Sequence, residues 1–332
     1  MYEDKVTAEQ QIYRVLWQKR PDGGAKLLRM YGTNPQVFVP EQIQGHPCVE
    51  IAPYCFAETA HLPKADTIEE TRAGDAVSDS ALQELCKDAI QEIYLPDTVQ
   101  KIGTCAFYNC KKLKRLYLGA AAEEIGSDIF MNTLAFRQIF LHASAAEQSG
   151  IRKMLSQITS DIEVWFWTDT GIEAVLLYPE YDESYDEIAP AHLFGRKIRG
   201  EGFRARQCFR DGKVDFAGYD AVFAQACVEE PEKTLSAMAQ YRLQYPFSLS
   251  SGHRETYRTY LNAHIEGTIK RLIRQKNLET LLFLCREGLV SSSDLAAGIQ
   301  AAVQEDWPEG AASLLQYQAA FLQNEKKNRY QF

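Results

Sequence analysis

The 332-residue sequence lacks any apolar run of the length that a membrane-spanning helix requires, about 18 residues. Its first ten residues, MYEDKVTAEQ, also lack the apolar core of a secretory signal peptide. No membrane association is therefore predicted. The expected location is cytoplasmic, or the cell surface if a leader has been removed from the chain.

Paired-cysteine motifs are missing as well, although the chain has eight cysteines. There is no C-x-x-C pair, so zinc-ribbon and thioredoxin-type sites lack their main signal. Cys48 and Cys110 stand among apolar residues, and a free cysteine is most often a small buried hydrophobic residue. We therefore expect reduced and mostly inaccessible thiols.

No catalytic signature is present. The chain contains no G-x-S-x-G, H-E-x-x-H, P-loop or G-x-G-x-x-G motif, and its six histidines are not at metal-ligand spacing from one another. His264 falls on an apolar helical face, where a core histidine is a better interpretation than a ligand. The sequence therefore predicts a non-catalytic protein with no catalytic residue, no cofactor, no metal site and no evident small-molecule substrate.

Positive charge is in deficit, since 36 Lys and Arg stand against 45 Asp and Glu, for a net charge of -9. The acidity is spread over both halves, which argues for solubility and against a protein that tracks nucleic-acid phosphates. One basic run, RKIRGEGFRARQCFR at 196–210, could bind RNA or single-stranded DNA with help from Phe203 and Phe209. Alternatively it pairs with the acidic run at 180–187 as strands with a charged face. The overall acidity favours this second interpretation.

What the sequence does contain is a 23-residue repeat. The unit IYLPDTVQKIGTCAFYNCKKLKR begins at Ile93, and LYLGAAAEEIGSDIFMNTLAFRQ follows in phase from Leu116. Self-similarity at a fixed period is typical of a solenoid, in which each unit buries its apolar face against its neighbours. We therefore predict stacked parallel strands over 90–141, with Phe107 and Phe130 buried.

A looser copy of the unit precedes these two, at 37–62, and carries five extra residues. In this copy Ile51 aligns with Ile102 of the next unit, and Leu62 aligns with Leu113. The polar stretch 66–88, which separates the copies, is expected to form a bulging loop with a short helix.

Upstream of the repeats, the apolar runs 12–17 and 26–31 flank a Pro-Asp-Gly-Gly turn signal. This pattern predicts a hairpin. An uncovered solenoid end would invite strand pairing with other chains, so we expect the hairpin to cap the first unit.

These units resemble the leucine-rich repeat of the bacterial BspA-like family, which runs roughly I-x-I-P-x-x-V-x-x-I-G-x-x-A-F-x-N-C-x-x-L. The resemblance is close over 90–141 and looser over 37–62. The second unit departs from the pattern, with Gly119 in place of proline and Ala120 to Ala122 in place of the turn residues, which suggests a loosened turn. The resemblance implies a protein-binding surface, and in this family such repeats are often found on cell-surface proteins.

Aromatic residues recur at one outward position of the predicted strands. Because side chains alternate across a strand and neighbouring strands lie about 4.8 Å apart, we expect the rings to form a ladder on the exposed sheet face. Tyr and Arg also dominate interface hot spots. The alternatives are that the ladder only stabilises the sheet, or that the C-terminal half covers it. The candidate partner-binding residues are Phe38, Tyr94, Tyr117, Phe140, Glu92, Arg115 and Gln138.

Beyond the repeats the pattern changes. Residues 144–147 read as a capping box that opens a helix with Ile151, Met154, Leu155 and Ile158 on one face. Strands are expected at 162–167 and 173–178, and 179–215 is expected to be irregular.

From about residue 216 the apolar spacing is helical, with one long stripe from Tyr257 to Ile273. Segments 278–289 and 310–322 align at a 33-residue offset, which places Leu281 on Leu314. This spacing, and the stretch QKNLETLLFLCREG ending at Gly288, resemble an ankyrin unit, although the T-P-L-H signature is absent. An unrelated helical hairpin is the alternative.

Together these patterns predict an α+β chain: a short leucine-rich-repeat β-solenoid with an N-terminal hairpin cap, followed by an all-α helical-hairpin domain. The predicted segments are a cap at 1–36, the solenoid at 37–178, an irregular linker at 179–215 and helices at 216–332. The leading function is a non-catalytic protein-interaction or scaffold module. An enzyme with a site in 179–215, or a nucleic-acid binder using 196–210, are the alternatives.

Overall fold

Stacked parallel strands followed by helices make up the protein, as the two sequence patterns predict. The computed structural model describes residues 12–59, 61–64, 67–73, 82–188 and 193–329. The chain divides into two compact units, 1–225 and 226–332, and the division falls inside a helix. The finer four-part division expected from the sequence stays a prediction.

The strands of the first unit are short, as solenoid strands are. In chain order they are β1 (Tyr13–Lys19), β2 (Ala25–Gly32), β3 (Gln36–Phe38), β4 (Gln42–Ile43), β5 (His46–Ile51), β6 (Glu69–Ala73), β7 (Gln83–Glu84), β8 (Glu92–Tyr94), β9 (Lys101–Ile102), β10 (Arg115–Gly119), β11 (Glu124–Ile125), β12 (Gln138–His142), β13 (Ile162–Thr168), β14 (Gly171–Tyr178), β15 (Asp182–Ile188), β16 (Leu193–Arg199), β17 (Phe209–Arg210) and β18 (Lys213–Val214).

One wall of the solenoid is the sheet β14-β13-β12-β10-β8-β3, in which all neighbours run parallel except β13 and β14. Across its five parallel strands the register places one inward residue per strand in a single row, and each of these residues is 0% exposed. These residues are Val37, Ile93, Leu116, Ile139 and Val164. The predicted 23-residue register over 90–141 is therefore confirmed. Parallel pairing continues beyond both ends of that range, to β3 and β13, but at spacings other than 23 residues.

The opposite wall is a second sheet, in which β5, β9 and β11 run parallel. Ile51 lies beside Ile102 as aligned, but Leu62 does not match Leu113, because it is 44% exposed. The hairpin β1–β2 extends this sheet, with β2 parallel to β5, which confirms the predicted hairpin. On its other side β1 pairs with β6.

Part of the stretch 66–88 differs from the expected loop. Residues 69–73 form β6 because the indole of Trp17, on β1, is buried and donates to Thr71 at 3.0 Å. A short 3-10 helix, Lys87–Ala89, does occur. Residues 74–81 lie outside the described part of the chain.

Phenylalanines fill the space between the walls. Phe107 stacks between Phe56 and Phe130 at ring distances of 5.8 Å on each side, and Phe107 and Phe130 are 0% and 5% exposed. The segments that carry Phe107 and Phe130 form turns and not helices. Cys105 and Asn109 have φ values of 53° and 62°, in the left-handed region that interrupts an α-helix.

Glycine allows the coils to approach closely at one point in each repeat. A Cβ on Gly103 would lie 2.3 Å from the backbone nitrogen of Pro53 in the preceding coil. One on Gly126 would lie 2.4 Å from the backbone nitrogen of Thr104. The Ile-Gly step of the repeat is therefore a packing requirement between neighbouring coils.

The solenoid closes with the helix α1 (Ile151–Leu155) and the strands β13 and β14, at the predicted strand positions. The apolar face of Ile151, Met154, Leu155 and Ile158 is buried as expected. The predicted capping box is wrong. Ser144 donates instead to Glu173 at 2.9 Å, and the helix begins only at Ile151.

The region 179–215 was expected to be irregular, but it contains paired strands and a short helix. β15 and β16 form an antiparallel hairpin in which Asp182 lies opposite Arg199, so the acidic and basic runs pair as the second sequence interpretation proposed. The helix α2 (Gly202–Ala205) and the pair β17–β18 follow.

The remaining helices are α3 (Phe216–Glu229), α4 (Glu232–Gln244), α5 (Ser251–Ala263), α6 (Ile265–Arg274), α7 (Leu278–Arg286), α8 (Ser292–Gln304) and α9 (Pro308–Arg329). In the second unit α4 packs on α5, α6 on α7 and α8, and α8 on α9. Leu281 and Leu314, aligned by the 33-residue offset, are each 1% exposed, and Gly288 ends α7 with a φ of 70°. The ankyrin resemblance stays a prediction.

The stripe from Tyr257 to Ile273 belongs to two helices rather than one. The break falls at His264, whose φ is -122°. Its ring nitrogen Nδ1 lies 2.9 Å from the carbonyl oxygen of Tyr260, and the two rings stack at 4.2 Å. A side-chain hydrogen bond to the i−4 carbonyl competes with the helical backbone bond.

Phe107→Ala is expected to lower the free energy of unfolding by about 3–5 kcal/mol, because it removes a fully buried ring between two others. Chemical denaturation measures this change. Tyr108→Ala, on the same turn but half-buried, is the matched control and should cost less. A loss well under 1 kcal/mol for Phe107→Ala would show that the ring does not fill the core.

A thiol reagent at neutral pH should label Cys227 first, because it is exposed, and then the half-buried Cys86 and Cys208. Burial raises the pKa of Cys48 and of Cys110 to about 12, which suppresses the reactive thiolate. Mass spectrometry should detect label on the five buried cysteines, Cys48, Cys55, Cys105, Cys110 and Cys285, only after denaturation. Two or more disulfides in the native protein would overturn this prediction.

Candidate functional site

The outer face of the sheet β14-β13-β12-β10-β8-β3 carries three rows of side chains that cross the strands. The rows arise because every second residue of a strand faces outward and the parallel register aligns those residues between strands. One row is polar, the middle row is aromatic and the third contains charged and aromatic groups.

The middle row is a continuous stack of five rings. Successive ring centroids are 4.1 Å apart for Phe38 and Tyr94, 4.0 Å for Tyr94 and Tyr117, 4.5 Å for Tyr117 and Phe140, and 5.5 Å for Phe140 and Trp165. Tyr94, Tyr117, Phe140 and Trp165 are half-buried, whereas Phe38 is only 8% exposed. The predicted ladder therefore exists, and its accessible part begins at Tyr94.

The polar row is linked by hydrogen bonds across four strands. Arg115 donates to Glu92 at 2.7 Å and to Gln138 at 2.8 Å, and Gln138 donates to Glu163 at 2.8 Å. Glu92 is buried and also accepts from the hydroxyl of Tyr94 at 2.7 Å. The candidate residues Glu92, Arg115 and Gln138 are thus brought together, and they hold the aromatic row from one side.

The hydroxyls of the aromatic row remain protonated well above neutral pH. Burial, followed by the hydrogen bonds to Glu92 and Tyr117, raises the pKa of Tyr94. Burial is also the main cause that raises the pKa of Tyr117. The row is therefore uncharged at physiological pH.

The third row places a histidine between two carboxylates. The Nδ1 atom of His142 lies 2.6 Å from Asp97 and its Nε2 atom 3.5 Å from Asp169, while its ring stacks on Trp167 at 4.1 Å. Asp97 reaches His142 across Gly119, where a Cβ would lie 2.6 Å from the Asp97 carboxylate. A residue with a Cβ at position 119 would collide with Asp97, which explains why the second unit has glycine there in place of proline.

Sequence reasoning missed Trp165, Glu163 and the whole third row. Phe140 pairs with Trp165 and Gln138 with Glu163, which are offsets of 25 residues rather than 23. A search at the fixed period ends before β13. The alternating aromatic run IEVWFW was the available signal, because a strand already expected at 162–167 would have placed both tryptophans on one face.

The repeats are similar to those of a known protein family. Residues 75–150 match a family model described as "BspA type Leucine rich repeat region (6 copies)". This segment consists of BspA-type leucine-rich repeats. It contains β8 to β12 and therefore most of the accessible ladder.

Part of the chain is also similar to a solved structure, that of a leucine rich cell surface protein from Faecalibacterium prausnitzii A2-165. The two share 19% sequence identity with a TM-score of 0.26, and the match covers 38% of this chain and 31% of that protein. The chain therefore matches about a third of that protein's length. No curated protein matches the chain.

Outside the leucine-rich repeats, the basic run 196–210 has its charges largely compensated. Three of its arginines are ion-paired with nearby acidic residues: Arg196 with Glu183, Arg204 with Glu201 and Arg210 with Asp215. A fourth, Arg206, is buried and donates to the carbonyl oxygens of Ser160, Pro179 and Gly202. This arrangement leaves little positive charge for phosphate contacts.

Among the described residues, no group of three or more His, Cys, Asp or Glu side chains could hold a metal ion. Within those same ranges, no helix combines the length and apolar character needed to cross a membrane.

Arg115→Ala is expected to lower the free energy of unfolding by about 1–2 kcal/mol, because buried Glu92 loses a charge-assisted partner. A double-mutant cycle with Glu92→Gln should give a coupling energy of about 1 kcal/mol. Lys114→Ala, exposed and adjacent, is the control and should change stability by less than about 0.5 kcal/mol. A coupling energy near zero would show that the polar row is not linked in solution.

Proposed function

We propose that this chain is a non-catalytic protein-interaction module that binds a protein partner through the outer face of its leucine-rich-repeat sheet. The observation that carries the proposal is the in-register stack of half-buried rings, of which Tyr94, Tyr117 and Phe140 lie in the repeats. Phe38, Glu92, Arg115 and Gln138 complete the proposed site as its supporting frame.

The stack is suited to binding because its side chains are already fixed. Each inner ring is held between two others, and the tyrosine hydroxyl of Tyr94 is anchored by Glu92. Partner binding would therefore cost little side-chain entropy, and aromatic anchors commonly supply most of an interface's binding energy. A continuous apolar strip of this kind is what isolated monomers seldom expose without a function.

The proposal extends to the compartment in which the protein works. All eight cysteines are unpaired, and five of them are buried. Disulfides persist mainly in oxidising compartments, so unpaired cysteines support a reducing one. We therefore propose a cytoplasmic location.

Replacing Tyr94 and Tyr117 together with Ala should abolish capture of a partner from an extract of the native organism, measured by pull-down and quantitative mass spectrometry. The double variant removes two adjacent anchors, each worth about 2 kcal/mol or more if they are hot spots. Tyr185→Ala is the matched control, since Tyr185 is a 63% exposed tyrosine outside the strip, and it should retain the partner.

Folding of the double variant is checked by circular dichroism and thermal melting. Loss of the stacking contacts should lower stability only modestly, by about 1–3 kcal/mol. A large destabilisation with every partner retained would show that the ladder is purely structural and would end the proposal.

A further inference from the structure

The open part of the outer face has the length and width of a short helix. Tyr94 and Trp165 lie on strands that are three steps apart, which is about 14 Å. A helix of about ten residues covers that length at 1.5 Å per residue. On the same strand, Glu163 of the polar row and Trp167 of the third row are four residues apart, which is about 13 Å. That width is close to the 10–12 Å or so of a helix with its side chains.

An extended peptide fits this face less well. A single strand occupies about 4.8 Å of width, so it would leave more than half of the face uncovered. Its same-face side chains recur about every 6.6 Å, whereas the rings recur at 4.0 to 5.5 Å along the strip. One turn of helix advances about 5.4 Å, so the apolar residues of successive helical turns have a spacing close to that of the rings.

The borders of the strip differ in how far their carboxylates are exposed. On the polar border, Glu92 is buried and paired with Arg115, and half-buried Glu163 accepts from Gln138 and from the indole of Trp165. On the other border, the side chains of Asp97 and Asp169 are 59% and 96% exposed and flank the single imidazole of His142. The side of a bound partner that lies beside Asp97 and Asp169 would therefore face an excess of carboxylates. The net charge of the whole protein is also negative, at -9.

We infer that the partner presents an amphipathic helix whose apolar stripe lies along the aromatic strip and whose Lys or Arg residues lie beside Asp97 and Asp169. The inference rests on the proposed function and adds the partner's shape and charge. Helix-in-groove recognition uses anchors at i, i+3 or i+4, and i+7.

A display library of random peptides of about 16 residues, enough for about four helical turns, tests this inference on the full chain. Peptides selected on the native protein are counter-screened on the Tyr94→Ala, Tyr117→Ala double variant. We expect the selected peptides to lose binding to that variant, to have apolar residues at helical spacing and to contain an excess of Lys and Arg.

The outcomes separate the two proposals. Selected peptides that depend on the rings but alternate at period two, or are rich in proline, would overturn the helix and leave the binding face intact. Selected peptides that bind the double variant equally well, or no enrichment at all, would overturn both the helix and the proposed function.

The position of the partner's basic residues is tested with a variant that combines Asp97→Asn and Asp169→Asn. Fluorescence anisotropy with a selected helical peptide should show about a tenfold weaker Kd for this variant, and the difference should shrink as salt is added. Glu124→Gln combined with Asp128→Asn removes two exposed carboxylates near the opposite sheet and should leave Kd unchanged. An equal effect of both pairs would show that only net charge matters and would overturn the placement of the basic flank.

Discussion

The close contact between consecutive coils is the constraint on which the rest of the structure depends. Gly103 and Gly126 let one coil rest directly on the backbone of the coil before it. At that separation the inward residues fall into one row, the phenylalanines stack, and the outward side chains align across strands. The surface rows are thus a consequence of core packing, because the same register places residues on both faces of the sheet.

Much of the fold could be predicted from the sequence because a solenoid is specified locally. Each unit contacts mainly its neighbours, so a period of 23 residues already determines strand direction, register and the inward phenylalanines. The same reasoning placed Tyr94, Tyr117 and Phe140 in one row. It could not determine exposure, because burial of Phe38 depends on packing at the end of the stack rather than on its repeat position.

Two of the expectations that the structure overturned depend on contacts between residues far apart in the chain. Residues 69–73 are polar, which predicts a loop. They form a strand instead, because they pair with the edge of β1 and because Thr71 accepts a hydrogen bond from the buried indole of Trp17. Ser144 and Glu147 have the spacing of a capping box. The hydroxyl of Ser144 nevertheless donates to Glu173, which is 29 residues away. The third row was missed for a similar reason, since Asp97 and His142 meet only where Gly119 leaves room.

The register also determines how this surface can change in length. Because each coil adds one ring to the stack, duplication or deletion of a whole 23-residue unit between β8 and β12 would change the strip by one rung, about 4.8 Å, without disturbing its neighbours. An insertion of another size must be absorbed outside the strands, as the extra residues between β12 and β13 are absorbed by α1. The length of the aromatic strip is therefore adjustable in discrete steps, whereas the polar groups of each rung are coupled to those of its neighbours, as Arg115 is to Glu92 and Gln138.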